Sequence, residues 1–549
     1  MGSSRKIKIV VGGVFLFVFV SFLFAQETHN LEIIWQKASP DSVFHFGRCI
    51  ASGDVNGDSF SDIMIVGDSV LDSSSDSIYR GVCWIYFGGA NIDTIPDVRL
   101  NNLQRLTFWS LHSGDINGDG FDDVILGACN NAGGYGEVLV FLGGNPMETI
   151  CDYRVRGPML GSIFGCSVSS GDVNGDGYKD LIVGAYGAAP RPGGYLMGQV
   201  YIYFGGPNFD TTPDVILNGG HENDQEGFGT SVAGGGDVNG DGFFDVIIGA
   251  GNFGPRLQGR VYIYFGGYPM DTTYDVAMSG EGSLQQLGLG GVDFLKNQTD
   301  YDYAITGTQF WSTGPGHPGK IYVFFGGPDM DSIPDVWMIG RTDSSGLGLS
   351  TASAGDLDND NNDEIISTAI NEPAFYAGTV YIWLGGSEFD TIPDAWIRGN
   401  IPSQGIGWNI ASAGDIDGDT KDEIMVSNSA SSFSQNKIWV CKYTGPGIEE
   451  RLTQNARRLT LEIRPNPARS VIRVRCPWFL KEIRIYDIAG KIVKVLDVDK
   501  TPKSGQFEVK WDLRDNNRKR VANGIYFIEI TEDNRQEIVR EIRKITVIK

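Results

Sequence analysis

The stretch GDVNGDGYKDLIVGA, residues 171–185, decides the fold of this chain because close variants of it occur seven times. It places oxygen-bearing side chains at positions 1, 3, 5 and 9 of a nine-residue loop, namely Asp172, Asn174, Asp176 and Asp180. Glycines at positions 4 and 6 allow left-handed turns, and an apolar run follows at once. The pattern predicts a tight loop around a hard cation, followed by a buried strand.

The copies recur at a period near 60 residues and share one internal order. The order is a short segment with a Phe-Gly such as FGCSVSSGD, the acidic loop, a run such as DLIVGA, a variable stretch, a segment such as VYIYFGG, and a segment such as DTTPDVIL. These β-branched and aromatic runs, split by Gly, Pro and Asp, predict four short strands per copy, and no run keeps a helical period. A repeat of this length predicts a β-propeller with one blade per copy. The first acidic positions are Asp54, Asp115, Asp172, Asp237, Asp293, Asp356 and Asp415.

The ends of the repeat array predict how the ring closes. Six copies are followed by a segment of the DTTPDVIL type, whereas the seventh ends in KIWVCKYTG without one. The segment LEIIWQKA, Leu31–Ala38, stands before the first copy and can supply the missing outer strand of the last blade. We therefore expect an all-β fold over residues 26–445: a seven-bladed β-propeller with four strands per blade, closed by the N-terminal strand.

The acidic loops predict calcium rather than magnesium, because Ca²⁺ takes six to eight oxygens in flexible geometry and Mg²⁺ demands a strict octahedron. An EF-hand would need an acidic residue at position 12, where these loops have an apolar residue or Ser. Asp-Gly turns without metal are the alternative, but their crowded carboxylates would then repel one another. The predicted ligands are Asp54, Asn56, Asp58, Asp62, Asp115, Asn117, Asp119, Asp123, Asp172, Asn174, Asp176, Asp180, Asp237, Asn239, Asp241, Asp245, Asp356, Asp358, Asp360, Glu364, Asp415, Asp417, Asp419 and Glu423.

The fifth copy, DFLKNQTDYD, departs from the pattern. Counted from Asp293, it places Leu295 and Asn297 where ligands belong, with Lys296 beside them. We predict no metal in this degenerate repeat, and hence about six Ca²⁺ sites in the chain.

The Phe-Gly segment, the D-x-[ND]-x-D-G loop and the VYIYFGG strand together resemble FG-GAP repeats over about residues 31–445. Repeats of this family build the seven-bladed propeller at the head of integrin α subunits and occur in many bacterial secreted proteins. The resemblance implies calcium in the loops between the first and second strands of each blade. Residues 107–108 read TF where other copies have FG, so the second copy departs from the family pattern.

The C-terminal part of the chain differs from the rest in charge and in pattern. From Arg451 onward there are 23 basic and 13 acidic residues, against 21 and 55 in the remainder. A polar linker over 446–458 and short alternating runs after it predict a small immunoglobulin-like β-sandwich over 459–549.

The motifs of this C-terminal part, such as PNP at 465–467 and NGIY at 523–526, resemble the C-terminal sorting domain of type IX secretion substrates. The related domain of flagellar hook-capping proteins shares much of the pattern. The resemblance implies export by outer-membrane secretion machinery, and a plain spacer domain is the alternative.

The N-terminal residues predict a secreted protein. A charged start is followed by an apolar run of about 16 residues, shorter than the roughly 20 that span a membrane, and by Ala25. We read residues 1–25 as a signal peptide and expect a secreted or cell-surface protein with no transmembrane segment in the mature chain. The net charge of −24 argues against a nucleic-acid partner. Seven scattered cysteines are read as small core residues, although one pair could form.

No group of residues in the sequence is typical of an active site. The variable segments between the second and third strands, predicted to lie opposite the calcium loops, carry aromatic and Arg side chains that are typical of binding anchors or of simple loop packing. These residues are Tyr186, Arg191, Tyr195, Phe253, Arg256, Phe310, Trp311, His317, Phe375 and Tyr376.

Two functions therefore stay open. The first is a calcium-binding adhesion or ligand-binding module for a protein or glycan partner. The second is an extracellular hydrolase or lyase of a polymer with its site in the propeller mouth. A cluster of Glu, His, Arg and Tyr around the central axis would favour the enzyme.

Overall fold

The computed structural model of the chain confirms the all-β prediction. The residues that it describes run from 27 to 547, apart from gaps at 41–42, 71–78, 101–105, 131–133, 190–196, 221–225, 282–283, 299–300, 309–317, 329, 343, 374–375, 387–388, 390, 429–435, 446–461, 465–471, 477–479, 488–490, 497–506 and 534–537. The predicted signal peptide and the predicted linker therefore lie outside the described residues. Within the described ranges, no helix has the length and apolar character needed to cross a membrane.

Each of the first four copies forms one antiparallel sheet of four strands in chain order. The first and second sheets contain β3 (Val43–Gly53), β4 (Asp62–Val70), β5 (Tyr79–Tyr86) and β6 (Val98–Leu100), then β7 (Ser110–Gly114), β8 (Asp123–Ala128), β9 (Glu137–Phe141) and β10 (Tyr153–Arg156). The third and fourth contain β11 (Ser167–Gly171), β12 (Asp180–Ala185), β13 (Gln199–Tyr203) and β14 (Val215–Asn218), then β15 (Phe228–Gly236), β16 (Asp245–Ala250), β17 (Arg260–Tyr264) and β18 (Val276–Ser279).

The last three copies follow the same order, with additions from the N-terminal segment. The fifth sheet contains β19 (Leu287–Leu295), β20 (Tyr303–Thr308), β21 (Lys320–Phe325) and β22 (Val336–Ile339). The sixth contains β23 (Leu347–Ser353), β24 (Ile365–Ala369), β25 (Thr379–Trp383) and β26 (Ala395–Arg398), and the seventh contains β27 (Ile406–Gly414), β28 (Glu423–Asn428) and β29 (Lys437–Tyr443).

Two N-terminal strands complete these last sheets. The strand β2 (Leu31–Ala38) pairs with β29 as the outer strand of the seventh sheet, where the sequence predicted it. A shorter strand, β1 (Glu27–His29), pairs with β26 and gives the sixth sheet a fifth strand, which the sequence analysis missed. The His29 ring stacks on Trp396 of β26 at 5.8 Å between ring centroids.

Burial along the strands explains why each run has its composition. In β12, DLIVGA, every residue is buried, whereas the outer strand β14 alternates between buried and exposed positions. The second strands are therefore covered on both faces by neighbouring sheets, and the fourth strands face solvent on one side. Of the cysteines that the structure describes, Cys49, Cys83, Cys129 and Cys441 are buried free thiols, which fits the predicted core role.

The first strands of consecutive sheets contact one another, and β27 of the seventh sheet contacts β3 of the first. A second set of contacts runs through the acidic loops, where the N–H of position 8 donates to the carbonyl of position 1 in the preceding loop. The set returns to its start because Ser61 N–H donates to Asp415 O at 3.0 Å. The other pairs are Asp122 to Asp54, Lys179 to Asp115, Phe244 to Asp172, Asp302 to Asp237, Asp363 to Lys296, and Asp422 to Asp356.

The second copy keeps the Phe of the repeat. Residues 108–109, rather than 107–108, correspond to the FG of the other copies. Phe108 is fully buried at the position held by Phe164 and Phe228 in the next copies, and Trp109 takes the place of the following Gly. The glycines at this place, such as Gly165 and Gly229, have φ of 79° and 86°, whereas Trp109 does not have a positive φ.

The C-terminal part forms one sheet of three strands and one of four. The first contains β30 (Glu462–Arg464), β31 (Ile472–Cys476) and β34 (Phe507–Trp511); the second contains β33 (Ile492–Leu496), β32 (Leu480–Asp487), β35 (Gly524–Asp533) and β36 (Ile538–Val547). This part also packs against the fifth sheet, because the Phe527 ring meets the Trp337 ring edge-on at 4.3 Å between centroids.

Candidate metal centre

The third loop shows how the sequence wraps its own backbone around a group of carboxylates. Asp172 Oδ1 accepts the N–H of Gly175 at 2.8 Å, and its Oδ2 accepts the N–H of Gly177 at 2.8 Å. Asn174 Oδ1 accepts the N–H of Asp176 at 2.8 Å. Gly175 and Gly177 have φ of 74° and 92°, so the two glycines are what lets the chain close this tightly.

Neighbouring loops interlock through the same glycine. A Cβ on Gly175 would lie 2.6 Å from the ring of Phe243, which is position 7 of the fourth loop. Gly57 stands in the same relation to Phe121, and Gly418 to Phe60, where the corresponding distance is 2.5 Å. A side chain at position 4 of these three loops would therefore push the adjacent loops apart.

In every loop except the fifth, a fully buried carboxylate at position 9 lies at the bottom of the loop. Asp180 is fully buried; its Oδ2 accepts the N–H of Val173 at 2.9 Å and its Oδ1 accepts that of Gly205 at 2.8 Å. Burial raises the pKa of Asp180 to about 7 despite these two hydrogen bonds. Burial has the same effect on Asp62, Asp123 and Asp245. An ionised carboxylate at this depth is unfavourable unless a cation lies beside it.

The sixth loop brings three carboxylates close together. Asp356, Asp358 and Asp360 each offer an oxygen, and the three atoms lie within 4.8 Å of one another. Like charges at this separation repel by about 1 kcal/mol per pair even at the dielectric constant of water. The residues of the first four loops and of the sixth thus fit a divalent cation, since carboxylate, amide and carbonyl oxygens are the ligands that Ca²⁺ prefers.

The fifth loop corrects the register that the sequence analysis assumed. Asp293 lies inside β19, and its Oδ2 accepts the N–H of Ser353 at 2.9 Å. Lys296 holds the first loop position, because its carbonyl accepts the N–H of Asp363 at 2.9 Å in the series of loop-to-loop hydrogen bonds. The loop is one residue shorter than the others, so Tyr303 rather than an acidic residue stands at position 9. The prediction that it holds no metal stays a prediction.

The seventh loop differs from the others by a lysine that the sequence analysis overlooked. Its acidic residues are drawn together, with oxygens of Asp415, Asp417 and Glu423 within 4.8 Å of one another. The Nζ of Lys442 lies 2.6 Å from Asp417 Oδ2, 2.6 Å from Asp419 Oδ2 and 3.8 Å from Glu423 Oε1. Burial alone would lower the pKa of Lys442, but the hydrogen bonds to Asp417 and Asp419 raise it above the ordinary value for lysine.

Comparison with known families supports the repeat assignment. Three of the copies match the FG-GAP repeat. The matched residues are 107–141, 164–203 and 228–264. Integrin alpha-5 of Xenopus laevis is 35% identical over 224 residues, which is 40% of this chain and 20% of that protein. Integrin alpha-PS2 of Drosophila melanogaster is 35% identical over 164 residues, which is 29% of this chain and 11% of that protein. The chain thus spans a fifth or less of the length of these relatives.

Two further similarities concern the C-terminal part of the chain and a solved structure. Residues 480–536 match the FlgD Ig-like domain. The solved structure of the Dos1 propeller aligns with 90% of this chain and 99% of its own, at 12% identity and a TM-score of 0.40.

The predicted binding anchors are only partly described. Arg191, Tyr195, Phe310, Trp311, His317 and Phe375 lie outside the described residues. Phe253 is covered by Arg260, whose guanidinium lies 3.6 Å from the ring centroid, so this aromatic is used in loop packing. Tyr376 is 46% exposed, and Arg256 is exposed as well.

Proposed function

We propose that the seven sheets form the blades of a closed, calcium-stabilised β-propeller that acts outside the cell and binds a protein or glycan ligand. The cyclic contacts of the first strands support the propeller. The carboxylates that the sixth loop brings together, and the matching residues of the first four loops, support calcium. The FG-GAP matches and the integrin relatives support an extracellular ligand-binding role.

The observation that carries the binding role is a pair of exposed tryptophans at the ends of the first strands, away from the acidic loops. Trp109 and Trp408, on the second and seventh sheets, are 51% and 42% exposed. Arg48 lies on β3, the first strand of the sheet between them, with its guanidinium 4.9 Å from the centroid of the Trp109 ring. Exposed Trp next to Arg is typical of the anchors that dominate binding surfaces.

The same cluster contains charges that neutralise one another. Asp68 is 2% exposed, and its Oδ2 lies 3.1 Å from Arg48 Nη1 and 2.9 Å from His45 Nδ1. A glycosidase needs two carboxylates on either side of the scissile bond. Asp68 instead contacts both basic side chains. This favours a structural role, in which the ion pair positions Arg48, rather than a catalytic role.

The test is a screen of matrix proteins and glycans with and without calcium. The double variant Trp109→Ala/Trp408→Ala should lose at least tenfold in affinity for any ligand that the wild type binds. Tyr268→Ala is the matched control, because Tyr268 is 77% exposed but lies in a turn between the third and fourth strands of its sheet. Unchanged binding by the double variant would remove this surface from consideration.

For the C-terminal part we propose a sorting role in type IX secretion, supported by its charge and by the motifs that resemble sorting domains. Removing residues 446–549 takes no strand from the seven sheets, so the remainder should fold and bind calcium. In the native host this shortened protein should stay in the periplasm. Cell fractionation distinguishes the two outcomes, and arrival at the surface would leave a spacer as the role of this part.

A further inference from the structure

The Nζ of Lys442 lies among the carboxylates that the sequence predicts as calcium ligands of the seventh loop. Its two short distances, 2.6 Å to Asp417 Oδ2 and 2.6 Å to Asp419 Oδ2, are close to the 2.3–2.6 Å that Ca²⁺ keeps to oxygen. A calcium ion and this ammonium group cannot occupy the same group of carboxylates at once.

The strand register identifies the residues that are equivalent to Lys442 in the other sheets. In the first sheet, Ile63 pairs with Tyr86, and Phe87 follows; in the seventh, Ile424 pairs with Cys441, and Lys442 follows. The residue at this place is apolar in each of the other sheets: Phe87, Leu142, Phe204, Phe265, Phe325 and Leu384. The sequence signal is therefore a Lys in place of the Phe of YFGG.

One buried oxygen in the seventh loop lacks the hydrogen bond that its counterparts accept. In the third sheet, Gly205 N–H donates to Asp180 Oδ1 at 2.8 Å, and Gly88, Gly143, Gly266 and Gly385 donate in the same way in their sheets. In the seventh loop the corresponding oxygen, Glu423 Oε1, is buried and has no hydrogen bond. Its nearest described cation is Lys442 Nζ at 3.8 Å.

The different end of the seventh sheet makes room for this arrangement. In the other six sheets the N–H of the residue that Lys442 replaces donates to an Asp at the start of the fourth strand, as Phe204 does to Asp214 at 2.8 Å. The seventh sheet takes its fourth strand, β2, from the N-terminal segment, so this hairpin and its Asp are missing. The end of β29 is thus free to carry a side chain that turns into the loop.

We propose that the ammonium group of Lys442 is the resident cation of the seventh loop and replaces a calcium ion there. The inference rests on the proposed function in one respect: the other loops, to which the seventh is compared, are taken to bind calcium. It changes the expected number of calcium sites from about six to five and makes the sheet that closes the ring independent of calcium.

The experiment counts the calcium bound per chain by equilibrium dialysis and elemental analysis. Lys442→Met keeps the length and apolar stem of the side chain but removes its charge, and it should bind one calcium more than the wild type. Lys437→Met removes a lysine from the other end of the same strand and should leave the number unchanged. An equal number for Lys442→Met and wild type would overturn the inference.

A second variant keeps the test decisive if Lys442→Met does not fold. Asp419→Ala in the wild-type background should leave the calcium number unchanged, because its partner is the lysine; a number lower by one would overturn the inference. The same measurement distinguishes failure of the calcium proposal from failure of this inference. If the wild type binds no calcium and Lys442→Met binds one, the lysine is the resident cation of the seventh loop, but the other loops hold no calcium.

Discussion

The third and seventh loops have the same spacing of acidic residues but balance their charge in different ways. In both loops, backbone N–H groups donate to the carboxylates. In the third, the loop's own lysine, Lys179, lies 4.8 Å from the ring centroid of Phe244. In the seventh, Lys442 reaches the carboxylates directly. The comparison teaches that an acidic loop motif predicts a positive charge at its centre but does not say whether that charge is an ion or a side chain.

Among the changes that test this comparison, removing the partner strand of β29 should have the largest effect on folding. Deleting Leu31–Ala38 takes the outer strand from the seventh sheet and leaves β29, which carries Lys442, with an unpaired edge. We expect aggregation or failure to fold, measured by recovery of soluble protein and by size-exclusion chromatography. A soluble monomer with the melting temperature of the wild type would refute the role of β2 in closing the ring.

Chelation should separate the loops that depend on calcium from the one that does not. A ligand that binds only the folded state stabilises it by about 2.7 kcal/mol per site at 100 times its dissociation constant. With several sites lost, EGTA should lower the melting temperature by about 10 °C or more. The melting curve with and without EGTA gives the result, and an unchanged curve would contradict the calcium proposal as a whole.

Matched substitutions at position 5 sharpen the comparison between the two loops. Asp176→Ala removes a proposed calcium ligand, and in calcium it should lower the melting temperature by about 5 °C and the calcium number by one. Asp419→Ala removes a partner of Lys442 and should lower the melting temperature equally with and without EGTA. If Asp176→Ala behaved in the same calcium-independent way, the two loops would not differ as proposed.

The smallest effect is expected at His112, on the inner strand β7 beside the third sheet. Burial and the nearby charge of Lys179 lower the pKa of His112 to about 4, and its Nε2 lies 3.1 Å from Ser170 Oγ. Because the folded pKa is below the ordinary 6.5, the unfolded chain binds more protons between pH 4 and 6.5, so stability falls as the pH drops through this window.

The variant His112→Gln isolates this contribution, because Gln keeps a hydrogen-bonding group without a titration. Its free energy of unfolding should fall by about 1–2 kcal/mol less than that of the wild type between pH 6.5 and 4.5. Denaturant titrations at the two pH values measure the difference. Parallel pH profiles would show that folding does not change the pKa of His112.

The repeat made most of the fold predictable, because hydrophobic runs and turn residues recur in each copy. The strand Leu31–Ala38 could be placed since the seventh copy visibly lacks an outer strand. The register of the fifth loop could not, because Asp293 stands near the expected spacing and only the hydrogen bond from Asp363 to Lys296 shows which residue opens the loop. The contact of Phe527 with Trp337 joins residues far apart in the chain and has no local pattern in the sequence.

Within the candidate site, the spacing of the acidic residues predicts the donors, but it gives no sign of Lys442 beside them. Lys442 lies 19 residues beyond Glu423, in a strand rather than in the loop, so inspection of the loop alone does not find it. Its signal becomes visible only when the strands are aligned by their pairing.

The short strand β1 has a mechanical consequence. Leu31 pairs with Tyr443, so the two chain ends of the seam between β2 and β29 lie side by side, and a pull between them would open the seam one residue pair at a time. Because Glu27–His29 is hydrogen-bonded to β26 of the sixth sheet, tension from the N-terminal side reaches the seam only after this separate strand has been detached. A load applied through the C-terminal part would instead act on β29, which is held along both edges by β28 and β2. The seam should therefore be protected from tension at both chain ends, by β1 on the N-terminal side and by the two partner strands of β29 on the other.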